Sequence, residues 1–490
     1  MKQNTFISYL VATTFAFCAC DNYLDLVPKG DSTLNKTDDY LGLIEDMYGY
    51  PIEDTWYLCG EATSYNMELL KNYSSPITST SFFWDEEFDR ATYMTDTQDL
   101  YTMCYKRIAK YNILLENIQD SEGNDNDKLV GIAQAKILRA YNYFYLINTY
   151  AKPYDPATAD QERGVILRDA FNLEEEGVQK TIADAYRLIE QDIKDALPIL
   201  PHKALNTFRP DKSFGYALKA KVHLLKREFD QALQSSLDCI REAEEEGGHK
   251  LWDMNVEYQN GVAKYKEMMP IPMDMMIEYG GPFYGMFRTV TSNMYFTHPY
   301  ENSENLLYQH GLNQFSPSPS MIRKPVIDLF DRKSDLRYTF SMELMPTRPT
   351  AEAGSINLNN QFVKWNCAGI KLSEVYLMAA ECYARKGDKD NALKYVNEIR
   401  KNRFITKYYK ELTANDANEA MNIVREERKR ELLYTSNGFF DMRRFCTEFN
   451  ETLTREIEEK TYTLRPTSHL LTFPFPVAAM QNSNLIQNSK

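Results

Sequence analysis

Two stretches far apart in the chain carry one pattern. "LLKREFDQALQSSLDCI" (224–240) and "ARKGDKDNALKYVNEIR" (384–400) align without a gap, so that Lys226/Lys386, Asp230/Asp390, Ala232/Ala392 and Leu233/Leu393 coincide. Each reads as a helix, a tight turn at Arg227-Glu228 or Gly387-Asp388, and a second helix opening with an Ala-Leu pair. The small alanine lets the two helices approach closely. A lone helix hairpin cannot bury its apolar face, so such units must stack on neighbours. This confines the chain to a mainly α, stacked architecture.

Helical periodicity fills the rest of two regions, about 97–244 and 371–449. In "TQDLYTMCYKRIAKYNILLENI" (97–118) the residues Leu100, Cys104, Ile108, Tyr111, Leu115 and Ile118 fall on one stripe at i, i+3/i+4 spacing. Helices over 129–151, 181–200 and 213–244 follow, the first stopped by Pro153. The hairpins resemble the tetratricopeptide repeat. With the pairs at 97–151 and 416–445 they predict about four helix pairs. Segments 50–95 and 246–370 differ: Gly, Pro, Asn and aromatics cluster, and helical patterns are short. They read as large loop-rich inserts, too aromatic for disorder.

The N-terminus is a processing signal. Lys2 is followed by a mostly apolar stretch, Phe6–Phe17, too short for a span of ~20 residues. Ala19-Cys20 and then an acidic, turn-prone run predict a lipobox. On this reading the signal is 1–19, Cys20 the acylated residue, and 20–490 one domain on a lipid tether. Each buried lipid CH₂ contributes ~0.8 kcal/mol of membrane attachment. A net charge of −14 argues against nucleic acid and against a polybasic membrane surface. Cys59, Cys104, Cys239, Cys367, Cys382 and Cys446 are scattered and read as buried thiols. The six histidines show no metal-binding spacing, so neither a metal nor a cofactor is expected. The 34 tyrosines suit helix packing and sugar stacking alike.

Five segments, in order, resemble one family, the SusD/RagB-like outer-membrane nutrient-binding lipoproteins of Bacteroidetes. They are "CDNYLDLVP" after the lipobox, "AKILRAYNYFYLINTYAKP" (135–153), "KLSEVYLMAAECYARKGDKDNALKYVNEIRKNR" (371–403), "EERKRELLYTSNGFFDMRRF" (426–445) and "FPFPVAAMQNSNLIQN" (473–488). Two departures stand out. Thr435, Ser436 and Gly438 replace a Glu-Gly pair and a following Arg, and Ser483 stands where proline is common. The resemblance implies a lipid-anchored protein on the outer membrane, facing the cell exterior. It would bind oligosaccharides and deliver them to a SusC-like TonB-dependent transporter, with no catalysis. A peptide ligand, or a tetratricopeptide adaptor that binds only protein, is the alternative.

Sugar capture needs flat rings for stacking and polar groups for hydroxyls, carried on loops. The candidates are Tyr65, Asn66, Phe83, Trp84, Asp85 and Arg90 in the first insert. In the second they are Tyr284, Arg288, Asn293, Tyr295 and Tyr300. The expectation is that the site draws on both regions, 56–90 and 279–300. "WDEEFD" (84–89) gathers four carboxylates, but adjacent acids cannot straddle a glycosidic bond as hydrolysis requires. It reads as a solvated acidic turn.

Overall fold

Numbered along the chain, strands β2 (Arg163–Ile166) and β3 (Gln179–Thr181) pair antiparallel as a small ribbon. In the computed structural model the described residues are 34–45, 63–65, 80, 82–94, 100–172, 176–268, 301–309, 320–341, 355–357, 366–433, 435–481 and 483–490. Helix α1 (Thr37–Glu45) packs on α2 (Leu100–Asn117) and on α3 (Asp125–Tyr150). Helix α3 begins where the Asn124 side chain accepts from the Asn126 and Asp127 amides, satisfying two otherwise free donors. From Ile137 to Tyr150 every residue of α3 is buried. A helix enclosed on all sides must pair its polar atoms inside the protein. Arg139 does so by a two-pronged bond to Asp192, both contacts 2.8 Å, and a third to Asn112 at 2.8 Å. It thereby joins α2, α3 and α4 (Ile182–Ala196).

The tyrosine-rich run resolves as packing. Tyr141, Tyr143, Tyr145 and Tyr150 are all buried, and the hydroxyls of the last three reach other segments. Tyr143 donates to the Arg168 carbonyl at 2.8 Å and accepts from the Arg168 amide at 2.7 Å. Tyr145 donates to the Ala368 carbonyl at 2.8 Å and meets the Ser436 hydroxyl at 2.6 Å. Tyr150 accepts from the Tyr101 amide at 3.1 Å. A ring fills the core while its polar tip fixes a loop.

The stack continues α3–α4–α5, where α5 is Lys212–Leu225. The two repeats follow as α5 with α6 (Phe229–Glu242) and α8 (Leu372–Arg385) with α9 (Lys389–Arg403). Ala232 and Ala392 are fully buried at the helix contacts, as their size requires. Both turns pass through a left-handed residue, Gly387 at φ 84° and Arg227 at φ 64°. Helix α6 packs directly on α8, so the stack is continuous across the second insert. The expected fourth pair takes another form. Helix α10 (Ala417–Glu431) lies against α8 and α9, and α11 (Asn437–Glu448) is tied to it by Arg428–Asp441 at 2.7 Å. Helix α7 (Met254–Met268) starts the second insert. Cys104, Cys239, Cys367, Cys382 and Cys446 are buried, and Cys59 lies outside the described residues.

The mouth of that insert is closed by β4 (Asn305–Leu307) pairing antiparallel with β7 (Ile370–Lys371). Asn366 fastens it. Its Oδ1 accepts from the Gln309 and Gly369 amides, each at 2.9 Å, and its Nδ2 donates to the Leu307 carbonyl at 2.7 Å. A Cβ on Gly369 would stand 2.0 Å from that carbonyl, so only glycine fits.

Charged side chains of α10 then pin the insert to the stack. Glu427 accepts from Arg337 at 2.7 Å and from Arg430 at 2.7 Å. Glu431 accepts from Arg337 at 2.9 Å and from Arg403 at 2.7 Å, and Arg403 also holds Glu304 at 2.6 Å. Burial alone would raise the Glu427 carboxyl, but the guanidinium groups of Arg337, Arg430 and Arg400 outweigh it and pull it down to about 2. A second knot joins Glu381 to Arg444 at 2.6 Å and Asp441 to Arg444 at 2.8 Å. The 435–437 corner uses short polar side chains instead of charges. Thr435 donates to the Leu432 carbonyl at 2.8 Å, and Asn437 donates to Glu374 at 3.0 Å. Glu374 is itself paired with Lys221 at 2.7 Å.

Candidate ligand face

Both inserts contribute to one sheet. Strand β1 (Thr63–Tyr65) of the first insert pairs antiparallel with β5 (Ser320–Ile322) of the second, Thr63 opposite Ile322 and Tyr65 opposite Ser320. On its other side β5 pairs with β6 (Ile356–Asn357). A three-stranded sheet made of separate loops fixes their relative position better than loop packing alone. Tyr65 is therefore placed beside the second insert.

The segment 82–94 lies against a hairpin of β8 (Leu453–Ile457) and β9 (Lys460–Leu464). Phe82 is buried on Ile457, and Phe83 packs half-buried against Phe82 and Tyr462, with ring centroids 5.0 and 5.2 Å away. Arg455 of β8 lies between two rings, its guanidinium carbon 4.5 Å from the Phe82 centroid and 4.6 Å from that of Trp84. It also donates to the Phe82 carbonyl at 2.7 Å. Arg323, just past β5, reaches the Thr454 carbonyl at 3.5 Å, so the sheet and the hairpin adjoin.

Two candidates are corrected. Trp84 is only 6% exposed, with its indole against Arg455, so its face is not open to a sugar. Its backbone is left-handed at φ 49°, and it turns the chain. Arg90 is 1% exposed. It donates to the Thr472 carbonyl at 2.8 Å, the Ser489 hydroxyl at 2.9 Å and the His469 carbonyl at 3.3 Å, and lies over the Phe473 ring. Burial lowers its pKa to about 10. Arg90 is a clamp on the C-terminal segment.

Asp85 is exposed, and it and Asp89 brace their own turn. Asp85 accepts from the Glu87 amide at 3.0 Å, and Asp89 from the Ala91 amide at 3.1 Å and the Thr92 hydroxyl at 2.8 Å. These are the turn-bracing bonds that aspartate commonly makes. The exposed aromatic surface of this loop belongs to residues absent from the candidate set. Phe88 and Tyr93 stack at 5.1 Å with 26° between their planes, and Tyr93 is 48% exposed. Their spacing of five matches neither a strand nor a helix stripe, and that was the available signal. Asn66, Tyr284, Arg288, Asn293, Tyr295, Tyr300 and Cys20 lie outside the described residues. A separate cleft of about 440 Å³ runs between α2, residues 166–172 and the segment 478–483, with Tyr101, Tyr105, Lys106, Arg168 and Phe171 in its wall.

Comparison with known families fits this architecture. Residues 22–224 match a SusD-like model described as starch-binding associating with outer membrane, and residues 345–482 match the model of the SusD family. The chain belongs to the SusD family. SusD-like protein P25 of Formosa agariphila is 20% identical over 441 residues, covering 81% of this chain and 78% of its own. Among solved structures, a putative sugar binding protein of Bacteroides vulgatus superposes with a TM-score of 0.69 at 17% identity. The match covers 94% of this chain and 99% of that one. A SusD superfamily protein of Bacteroides thetaiotaomicron gives 0.67 at 16% identity, with 93% and 100% covered. At these identities the likeness is one of SusD fold. Among the described residues no helix is long and apolar enough to cross a membrane.

Proposed function

We propose that this SusD-family chain captures oligosaccharides at the cell surface and passes them to a SusC-like TonB-dependent transporter. The observation that carries this reading is the β1–β5–β6 sheet, in which the two aromatic-rich inserts become one face. The stacked Phe88–Tyr93 pair and the exposed Asp85 supply a ring surface and an acceptor beside it. The sugar-binding description of the Bacteroides vulgatus relative supports the same ligand class. Acylation of Cys20 would hold the body on the outer membrane, on the exterior side. Tyr284, Arg288, Asn293, Tyr295 and Tyr300 complete the proposed face from the second insert, with Tyr65 and Asn66 from the first. No chemical step is assigned, since Asp85 and Asp89 are engaged in bracing their turn.

The test is affinity electrophoresis of the chain starting after Cys20 against a panel of plant, host and microbial glycans. Retardation on one glycan, lost in Tyr93→Ala and kept in Phe171→Ala of the separate cleft, supports the reading. Absence of retardation on every glycan, with capture of peptides, overturns it in favour of a peptide ligand. Co-purification from outer membranes tests the transporter, and a lipoprotein that leaves mild detergent as a monomer counts against that pairing.

A further inference from the structure

The two repeat turns are sisters that differ in what they spend their side chains on. In the second, Gly387 takes the left-handed backbone at φ 84°, and Asp388 caps α9 by accepting from the Asn391 amide at 3.1 Å. In the first, Arg227 is held at φ 64°, a conformation disfavoured for any residue but glycine. Glu228 stands in the place of Asp388 and makes no cap bond to α6. Its carboxylate turns back instead. One oxygen meets His223 Nδ1 at 2.6 Å and the other meets Lys226 Nζ at 2.8 Å. Lys226 also holds Glu190 of α4 at 2.5 Å. The first turn thus gives up both the glycine and the helix cap and gains a cluster of charged groups.

That cluster has the composition of a metal site. Ligand atoms of Glu190, His223 and Glu228 all lie within 4.8 Å of one another. Side-chain adjustment of about 1 Å brings them to the roughly 3.3 Å separation of tetrahedral ligands with bonds near 2.1 Å. One imidazole and two carboxylates, with water in the fourth place, is a zinc-type set, and the imidazole disfavours magnesium and calcium. Both carboxylates are about one-third exposed, which leaves an entry path. The ammonium of Lys226 already sits between them as a monovalent cation. It also lies 5.8 Å from the centre of the Tyr154 ring, toward which it can withdraw. The sister turn has Tyr383 and Asp388 at the matching positions and lacks the imidazole.

We propose that the first repeat turn is a zinc-class divalent metal site, ligated by Glu190, His223 Nδ1 and Glu228, in which the metal displaces the Lys226 ammonium. The two-element origin explains why no sequence motif announces it: Glu190 comes from the preceding helix.

The experiment uses the full-length chain in detergent, stripped with EDTA, dialysed and titrated with ZnCl₂ by calorimetry, with MgCl₂ and CaCl₂ as comparators. One equivalent of zinc is expected, with a rise in thermal midpoint. His223→Ala should weaken uptake at least about tenfold, the lower end of what disturbing a site's ligand shell costs. Lys226→Met should tighten it at unaltered circular dichroism, because the competing ammonium is gone while the buried thiols, themselves zinc ligands if exposed, stay covered. Zinc uptake that is absent in the wild type, unchanged in His223→Ala at unaltered circular dichroism, or no tighter in Lys226→Met overturns the site.

Discussion

Three residues apart on one loop, Arg90 and Tyr93 do opposite work. Arg90 is sealed beneath the C-terminal segment, while Tyr93 faces out. Replacing Arg90 by Ala leaves the carbonyls of Thr472 and His469 without this donor. The expected loss is about 2–4 kcal/mol of stability, read from the denaturation midpoint and from faster proteolysis near residue 470. Glycan retention by the folded fraction should not change. Tyr93→Ala should do the reverse: stability within about 0.5 kcal/mol of wild type and retention lost. At the same scale, Glu427 sets an acid limit. Its carboxyl titrates near 2 when folded, below the ordinary glutamate value of about 4.3 when unfolded. Its contribution is therefore full above about pH 4.5 and disappears as the pH falls toward 2. Glu427→Gln should flatten acid denaturation in that window. It should also cost about 3–5 kcal/mol at pH 7, because Arg337 and Arg430 stay buried with one partner fewer.

Between elements, the insert neck is the point of greatest constraint. Gly369→Ala forces β4 and β7 apart against the Leu307 carbonyl and should destabilise by about 2 kcal/mol, measured in urea. A second fastening lies at His249, after α6. Its Nε2 faces Asp211 at 2.7 Å and its Nδ1 faces the Ser303 carbonyl at 3.0 Å. Both partners are acceptors, so only the imidazolium satisfies both. Burial and Lys203 lower its pKa, but the Asp211 bond outweighs them and raises it above 6.5. The clasp is complete below about pH 6.5 and is lost as pH rises through the raised folded value. An NMR titration of His249 should give a midpoint above 6.5 that falls to the ordinary range in Asp211→Asn.

At the scale of the molecule, the helical stack was legible because helix period and the Ala-Leu turns are local signals. Segments 97–118 and 129–151 appear as α2 and α3 within a few residues. In helix α10 the buried face continues past Ala420 and Val424 into Glu427, Arg428, Arg430 and Glu431, and charge reads as solvent exposure until its partners are known. That the two inserts meet was legible as an expectation by region, while the burial of single residues was poorly legible. Trp84 and Arg90 carry the chemistry of sugar contact, but Arg455 and the Thr472 carbonyl, hundreds of positions later, decide that they are buried. No local pattern holds that information.

The closed neck has a consequence for how such a molecule changes over generations. Because β4 and β7 lie side by side and α6 already touches α8, the stack does not register how much chain runs between them. The entropy of closing a loop rises only with the logarithm of its length. Lengthening, trimming or exchanging the parts of the second insert outside Glu304–Leu307 and Asp335–Arg337, which hold buried partners on the stack, therefore leaves the scaffold's stability nearly constant. New insert surfaces can be tried as cassettes while one helical frame is inherited intact.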